Sequence, residues 1–310
     1  VEVGDGQSRR AHELVTVGLP TFNRSEALER AVRSALDQDY RPLIIKVSDN
    51  ASTDGTAALL TSLASRHVEL QVLTNSENLG PTANFRAVVP VAPEGYFMWL
   101  GDDDWLGPGC VSACVEALVA DPRVSLAAPT VHYHGPGRSW VDPRVELSGD
   151  SPSGRVLDYF RVVGANGVFY GLTRSQAMAE LPPLSNAMGG DWLHVAALAF
   201  LGKVLTLDSC ELHRSVGGAT RSLRHVARHQ GLGRLARFAP QVVIAWTVLA
   251  ELGWRSDVYL ALGRSARLWL GLRCAGIICR RFLPGAIAKG IRQLPVPRAG
   301  TPVRNEEVLP

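Results

Sequence analysis

The chain has no apolar run of the ~18 residues that a membrane-spanning helix needs. Its longest charge-free helical stretch, Phe238 to Ala250, is too short to cross a bilayer. The polar, acidic opening carries no apolar signal core, so the sequence predicts a protein that is not marked for secretion. Cysteine is sparse, with five in 310 residues. Cys110 and Cys114, three residues apart between them, read as two positions on one helix rather than a zinc knuckle. Together these features predict a reducing, cytoplasmic setting. Lysine is nearly missing: only Lys46, Lys203 and Lys289 among 32 basic residues. Genome base composition explains that bias as readily as chemistry does, so it carries no weight. The remaining composition, 46% apolar and 20% charged, is that of an ordinary globular protein and excludes global disorder and collagen-like structure.

What is present is unevenly charged. Residues 1–220 carry 17 basic and 25 acidic side chains, whereas residues 221–300 carry 14 basic and 2 acidic. An acidic body is followed by a basic region whose apolar patches, Val242 to Leu249 and Leu260 to Leu272, predict helices.

The acidic body alternates strand and helix. Apolar stretches at Val15–Leu19, Leu43–Val47, Leu70–Leu73, Tyr96–Leu100 and Val124–Val131 predict strands. Helical spacing between them, as in Leu28, Ala31, Val32, Ala35 and Leu36 after a capping Ser25, predicts intervening helices. This alternation implies right-handed crossovers and a mainly parallel sheet. Ligands of such sheets collect beyond the carboxyl ends of the strands, where the loops after Leu19, Val47 and Leu100 fall. Residues Gly135 to Arg155 read as a long loop and Gly164 to Leu172 as a strand. A helix is expected to begin near Asp191, after the loop Leu181 to Gly190, and Val204 to Leu207 is expected as a last short strand.

Asp102, Asp103 and Asp104 follow an apolar strand directly. Three adjacent carboxylates repel one another unless a positive group neutralises them. A divalent cation with hard oxygen ligands does so, especially one that also holds a diphosphate; a solvated acidic turn is the plainer alternative. Asp49 ends the second strand and, with Asn50, offers acceptors for a base or sugar, or forms an Asx turn. Asp54 fits the cap of the next helix. Asp191, after Gly189 and Gly190, either caps its helix or takes a proton from an acceptor hydroxyl. His213 and Arg214 could reach a metal and a phosphate; His132 and His134 share one strand face and read as structural or as channel contacts.

Residues 14–220 resemble the large family of inverting glycosyltransferases with the GT-A fold, family 2. The resemblance rests on Val17-Gly18-Leu19-Pro20-Thr21-Phe22-Asn23-Arg24, on Val47-Ser48-Asp49-Asn50-Ala51-Ser52-Thr53-Asp54-Gly55-Thr56 and on Asn78-Leu79-Gly80. It implies an α/β, Rossmann-like sheet flanked by helices, with a C-terminal helical appendage outside the family pattern. It assigns Pro20, Thr21, Asn23, Arg24 and Asn78 to the nucleotide-sugar loops and Asp49 to the nucleobase. The family's acidic pattern is Leu-Asp-x-Asp-Asp. With Leu100 and Pro108 in register, Gly101 replaces the first aspartate, Asp103 falls on the usual metal ligand and Asp102 on a ribose contact. Asp104 would then help through water. Asp191 takes the place of the catalytic base, with Gly190 where glutamate is usual, and His213 that of a further metal ligand.

The organisation that follows is a flexible N-terminus at 1–13, a catalytic domain at 14–220, a basic helical region at 221–300 and a tail at 301–310. The catalytic domain divides into a nucleotide-sugar half near 14–131 and an acceptor half near 132–220. The expected activity is metal-dependent transfer, with Mg²⁺ or Mn²⁺, from a nucleoside diphosphate sugar to the hydroxyl of a glycan, lipid-linked sugar or natural product. UDP is expected ahead of dTDP and GDP. A non-catalytic nucleotide- or carbohydrate-binding protein on the same fold is the alternative. A nucleotidyltransferase would want a Gly- and basic-rich loop after the first strand, and a dehydrogenase a G-x-G-x-x-G; neither is there. Residues 221–300 are expected to pack on the catalytic domain, to form a homodimer contact, or to rest peripherally on the inner face of the membrane. Nucleic acid is not expected as a partner, because charge is present without a recognition motif.

Overall fold

The computed structural model describes residues 13–216, 233, 236–237 and 239–292, with side chains up to Phe282 in the final helix. The expected tail at 301–310, and nearly all of the expected flexible N-terminus, lie outside the described residues, as does part of the basic region.

Strand and helix alternate as the sequence pattern implies: β1 (Val15–Thr21), α1 (Ser25–Leu36), β2 (Leu43–Asp49), α2 (Thr56–Ala64), β3 (Leu70–Thr74), α3 (Pro81–Ala87) and β4 (Tyr96–Trp99). A short β5 (Trp105–Leu106), α4 (Cys110–Ala120) and a long β6 (Val124–Gly135) follow. Strands β1 to β4 are mutually parallel, with Thr21 level with Asp49 and Asp49 level with Thr74. The sheet runs β3-β2-β1-β4-β9-β6-β10-β5, where β9 is Leu172–Arg174, antiparallel to both neighbours, and β10 is Lys203–Ser215, parallel to β6.

Successive side chains of a strand point to opposite faces, and β4 shows what this does to the core. Tyr96, Met98 and Leu100 join one apolar layer with α1, α2 and α4, while Phe97 and Trp99 join a second layer on the opposite face. Burying each such large side chain contributes about 1.5–3 kcal/mol.

Ser25 does not cap α1; it is the first helical residue, and its N–H donates to Asp54 Oδ2 (3.2 Å). Asp54 Oδ1 also accepts from the Thr56 N–H (2.9 Å), so one carboxylate serves the starts of both α1 and α2. The stretch 135–155 is not an open loop. It holds β7 (Arg138–Val141), which returns along β6 with Trp140 stacked on Tyr133 at 4.8 Å, then β8 (Glu146–Leu147), and leads into α5 (Pro152–Val162). The strand expected over Gly164–Leu172 is instead a 3-10 turn at Gly167–Tyr170, entered through Asn166 at a positive φ of 59°. The last strand is longer than Val204–Leu207, because β10 resumes after Asp208, Ser209 and Cys210 bulge out of the ladder with β6. That bulge carries Cys210 to Cys110 and Cys114 on α4, where the three buried thiol sulfurs lie within 4.8 Å of one another.

Between β9 and β10 stand α6 (Ser175–Glu180) and α7 (Gly190–Leu201), the latter beginning where the sequence predicts. The C-terminal region supplies α8 (Pro240–Ala250), a wide turn at Glu251–Arg255, a 3-10 segment at Asp257–Leu262 and α9 (Gly263–Arg292). Leu270, Cys274 and Ile278 of α9 are buried in the same layer as Phe160 of α5 and Leu198 of α7. The appendage therefore shares its core with α5 and α7. Among the described residues, no helix is long and apolar enough to cross a membrane.

Candidate active site

The loops after β1, β2 and β3 meet at the carboxyl edge of the sheet and are tied by amides. Asn50 Nδ2 donates to Asn78 Oδ1 (2.9 Å) and to the Gly80 carbonyl (3.3 Å), while its Oδ1 accepts from Asn75 Nδ2 (3.1 Å) and the Leu79 N–H (2.9 Å). Buried Asn84 donates to the Thr21 and Ser48 carbonyls, both at 3.1 Å, joining the ends of β1 and β2. Asn23, at a positive φ of 52°, accepts from the Thr53 N–H through Oδ1 (2.7 Å) and donates its own N–H to Ser52 Oγ (2.9 Å). Asn78 and Asn23 thus shape the loops that the sequence assigns to nucleotide binding. Pro20 lies level with Ser48 near the end of β1. Asp49 is buried, and its Oδ1 accepts from the Ser52 N–H (3.1 Å), the Asx-like turn that the sequence leaves open as the plainer reading. Asn75 and Asn84 carry this network without having stood out in the sequence; their signal was the density of asparagines between residues 75 and 84.

The acidic loop after β4 closes against these elements. Thr21 Oγ1 donates to Asp102 Oδ2 (2.9 Å), and Arg24 Nη1 lies 3.4 Å from Asp103 Oδ2. Burial, and then the neighbouring Asp103 charge, push the Asp102 carboxyl up to about 6. Adjacent carboxylates such as Asp102 and Asp103 offer hard oxygen donors of the kind that suit Mg²⁺ or Mn²⁺. Asp104 does something else. It is fully buried and accepts from Arg214 Nε (2.8 Å) and from the Ser215 N–H (3.2 Å). The water-mediated role expected of it gives way to a buried ion pair, because the Gly101–Asp104 turn, closed by the Asp104 N–H on the Gly101 carbonyl (3.1 Å), leaves its carboxylate facing the end of β10. Arg214 Nη2 also donates to Tyr170 Oη (3.0 Å), with the guanidinium 4.0 Å from the centre of that ring. Arg214 is therefore committed to Asp104 and Tyr170 rather than to a phosphate. Ser215 Oγ donates to the Asp103 carbonyl (2.8 Å), and Arg30 reaches the same carbonyl (3.2 Å) while covering the Trp105 ring at 3.7 Å.

His213 stands level with Trp105 on β10 and stacks on its ring at 5.0 Å. Its Nδ1 lies 3.1 Å from His134 Nε2 and its Nε2 3.4 Å from a Glu211 carboxylate oxygen. Burial holds its pKa below the ordinary value, against the opposing effect of the Glu211 charge. His132 joins the group at 3.5 Å from Glu211.

Asp191 sits in the first turn of α7, close enough to Arg214, the partner of Asp104, to feel its charge. Asn166 Nδ2 donates to Asp191 Oδ2 (2.9 Å), and Tyr159 Oη in turn donates to Asn166 Oδ1 (2.7 Å). Burial raises the Asp191 pKa from its ordinary value, while the Asn166 hydrogen bond, the helix N–H groups and the Arg214 charge hold it back. Neither Asn166 nor Tyr159 was legible beforehand: Asn166 enters a turn in the stretch expected as a strand, and Tyr159 lies on α5, for which the sequence offered no helix.

The fold and the family comparison agree. The model of Glycosyl transferase family 2 matches residues 16–176, more than half of the chain. The chain belongs to glycosyl transferase family 2. It is similar to the abequosyltransferase RfbV of Salmonella typhimurium, 32% identical over 143 residues, which cover 43% of each chain. It is also similar to the GalNAc(5)-diNAcBac-PP-undecaprenol beta-1,3-glucosyltransferase of Campylobacter jejuni, 32% identical over 103 residues and 33% of each chain. The match thus spans less than half the length of either relative. Among solved structures, S. aureus TarS (residues 1–349) shares the fold, with a TM-score of 0.53 at 15% identity over 90% of this chain and 88% of that one.

Two departures from the family pattern have steric causes. A Cβ on Gly101 would lie 2.5 Å from Asp104 Oδ2, which Arg214 holds in place. A Cβ on Gly190 would lie 2.2 Å from the Ser185 carbonyl. The usual aspartate and glutamate have no room at these positions.

Proposed function

We propose that this family 2 member transfers a sugar from a nucleoside diphosphate sugar to an acceptor hydroxyl with inversion at the anomeric carbon. The observation that carries this reading is Asp191, a partly buried carboxylate of raised basicity, oriented by Asn166 and close enough to Arg214, the partner of Asp104, to feel its charge. Held through Oδ2 by Asn166, the carboxylate takes the proton of the acceptor hydroxyl as the hydroxyl oxygen bonds to the anomeric carbon. A single displacement of the diphosphate from the opposite face inverts configuration.

The donor half, near 14–131, binds the nucleotide through Pro20, Thr21, Asn23, Arg24, Asp49 and Asn78, with Asp49 toward the base and Asp102 toward the ribose. Thr21 fixes the Asp102 rotamer, and Arg24 adds positive charge beside Asp103. Asp103 and His213 are the residues that would hold Mg²⁺ or Mn²⁺; His213 would exchange its contact with His134 or Glu211 for the metal. When bound, such an ion supplies Lewis-acid stabilisation of charge on the departing diphosphate. The acceptor half, near 132–220, contributes Asp191 and its supports. UDP is the first nucleotide to test, before dTDP and GDP; TarS, of similar fold, is solved with UDP and with UDP-GlcNAc.

The test is a panel of nucleotide sugars and candidate acceptors read by mass spectrometry, with and without Mn²⁺, followed by NMR of the product. Metal-dependent release of nucleotide with inverted product is expected. Absence of release across the panel would favour a non-catalytic binding protein, and retained configuration would remove the single-displacement mechanism.

A further inference from the structure

The two C-terminal helices present opposite faces of very different kinds. Inwardly, α9 buries Leu270, Cys274, Ile277 and Ile278. Outwardly, it leaves Leu268, Trp269 and Leu272 between 45% and 54% exposed, and α8 with the turn after it leaves Trp246 and Trp254 at 58% and 50%. These side chains form one surface. The Trp246 and Trp254 rings are 5.9 Å apart, the Leu268 side chain reaches Gly253, and Gly271 lets α9 approach the backbone of Leu249. Leu268 and Leu272 are one helical turn apart, and Trp269 and Leu272 are neighbours at i,i+3.

Arginines border this apolar strip. Arg264 precedes Leu268 by one turn, Arg273 places its guanidinium 4.7 Å over the Trp269 ring, and Arg280 continues the row; all three are exposed. Isolated exposed leucines are ordinary, but clustered tryptophan and leucine rimmed by arginine is the surface of a helix that lies in a lipid headgroup layer. We propose that this face docks on an anionic lipid surface. A second copy of the chain is the other occupant to weigh, and charge argues against it. A two-fold dimer sets a patch against itself, which would bring Arg264, Arg273 and Arg280 against like charges in a region with 14 basic and 2 acidic residues. Anionic headgroups complement that charge, and tryptophan rings suit the boundary between headgroup and acyl chain.

The docked face is mechanically tied to the proposed base. Phe282 of α9 meets Trp192, next to Asp191, at 5.5 Å between rings, and Ile244 of α8 packs beneath Gly189. On the transferase reading, docking would present the acceptor half to acceptors carried in the lipid layer. Docking itself does not depend on that reading.

Vesicle flotation of the full chain separates the possibilities without an activity assay. Vesicles of phosphatidylcholine with phosphatidylglycerol should float the protein at low salt, phosphatidylcholine alone should not, and added salt should release it. Leu268→Glu with Leu272→Glu, both at exposed positions, should lose binding by about tenfold or more while far-ultraviolet circular dichroism stays unchanged. Arg264→Glu with Arg273→Glu should abolish the preference for phosphatidylglycerol, a loss of about tenfold or more. A folded chain that fails to float at low salt would overturn the proposal. So would flotation that survives the paired glutamates, or a solution dimer that those glutamates dissociate in the absence of lipid binding.

Discussion

The two halves of the carboxyl edge are held by opposite chemistries. Around the ends of β1, β2 and β3 the loops are fixed by neutral amides: Asn50, Asn75, Asn78 and Asn84 bond to one another and to backbone carbonyls. Around the ends of β4 and β10 the corresponding work falls to a buried charge pair, Asp104 with Arg214, extended through Tyr170. An amide network needs no counter-charge, so these loops are held without drawing on Asp102 or Asp103, whose contacts are Thr21 Oγ1 and Arg24 Nη1. A buried guanidinium, in contrast, is a permanent positive charge close enough to restrain the Asp191 pKa. One side is held by neutral groups; the other is held by a buried ion pair.

That contrast can be broken at several points. Asp191→Asn keeps size and hydrogen bonding but not basicity, so transfer should fall by roughly 10²–10⁴-fold. On the proposed reading nucleotide affinity should stay unchanged; steady-state kinetics beside a binding titration would check both. Arg214→Met should cost about 3–5 kcal/mol in denaturant unfolding, because it strands the Asp104 carboxylate in the core. Arg214→Met combined with Asp104→Leu should recover much of that loss.

A smaller effect comes from His194, buried against Trp99 and Phe169 with ring centres 5.0 Å and 5.7 Å away. Burial pushes its pKa from 6.5 down to about 4. The unfolded chain therefore binds the extra proton between those values. This histidine's share of stability is complete above pH 6.5 and is lost as pH falls toward 4, about 3 kcal/mol in all. His194→Phe should flatten that part of the pH–stability profile, measured by urea unfolding. On the amide side, Asn50→Ala should cost about 1–3 kcal/mol, the scale for unpaired buried hydrogen-bond groups, with no dependence on pH between 5 and 8.

Much of the donor side was legible because its signals are local. An apolar strand followed by a polar loop marks a sheet edge wherever it occurs, and Val47 to Thr56 and Leu100 to Asp104 read that way from spacing and polarity alone. The acceptor side was less legible because its contacts join residues far apart in the chain. Nothing near Asp104 announces Arg214, and nothing near Asp191 announces Asn166. The bulge at Asp208–Cys210 interrupts the alternation that marks a strand, which hid the second half of β10 and with it the partner of Asp104. The C-terminal helices were visible from periodicity, but which of their faces is buried is decided by α5 and α7.

The central claim is that the donor edge supplies carboxylates for a cation that holds a nucleoside diphosphate. The measurement that tests it most directly is titration calorimetry of UDP, GDP and dTDP into the protein with and without Mn²⁺, repeated with Asp103→Ala. The account predicts that one nucleotide binds only with the metal present and that Asp103→Ala removes the metal's effect while leaving the protein folded. Equal binding without the metal, or an undiminished metal effect in Asp103→Ala, would contradict it.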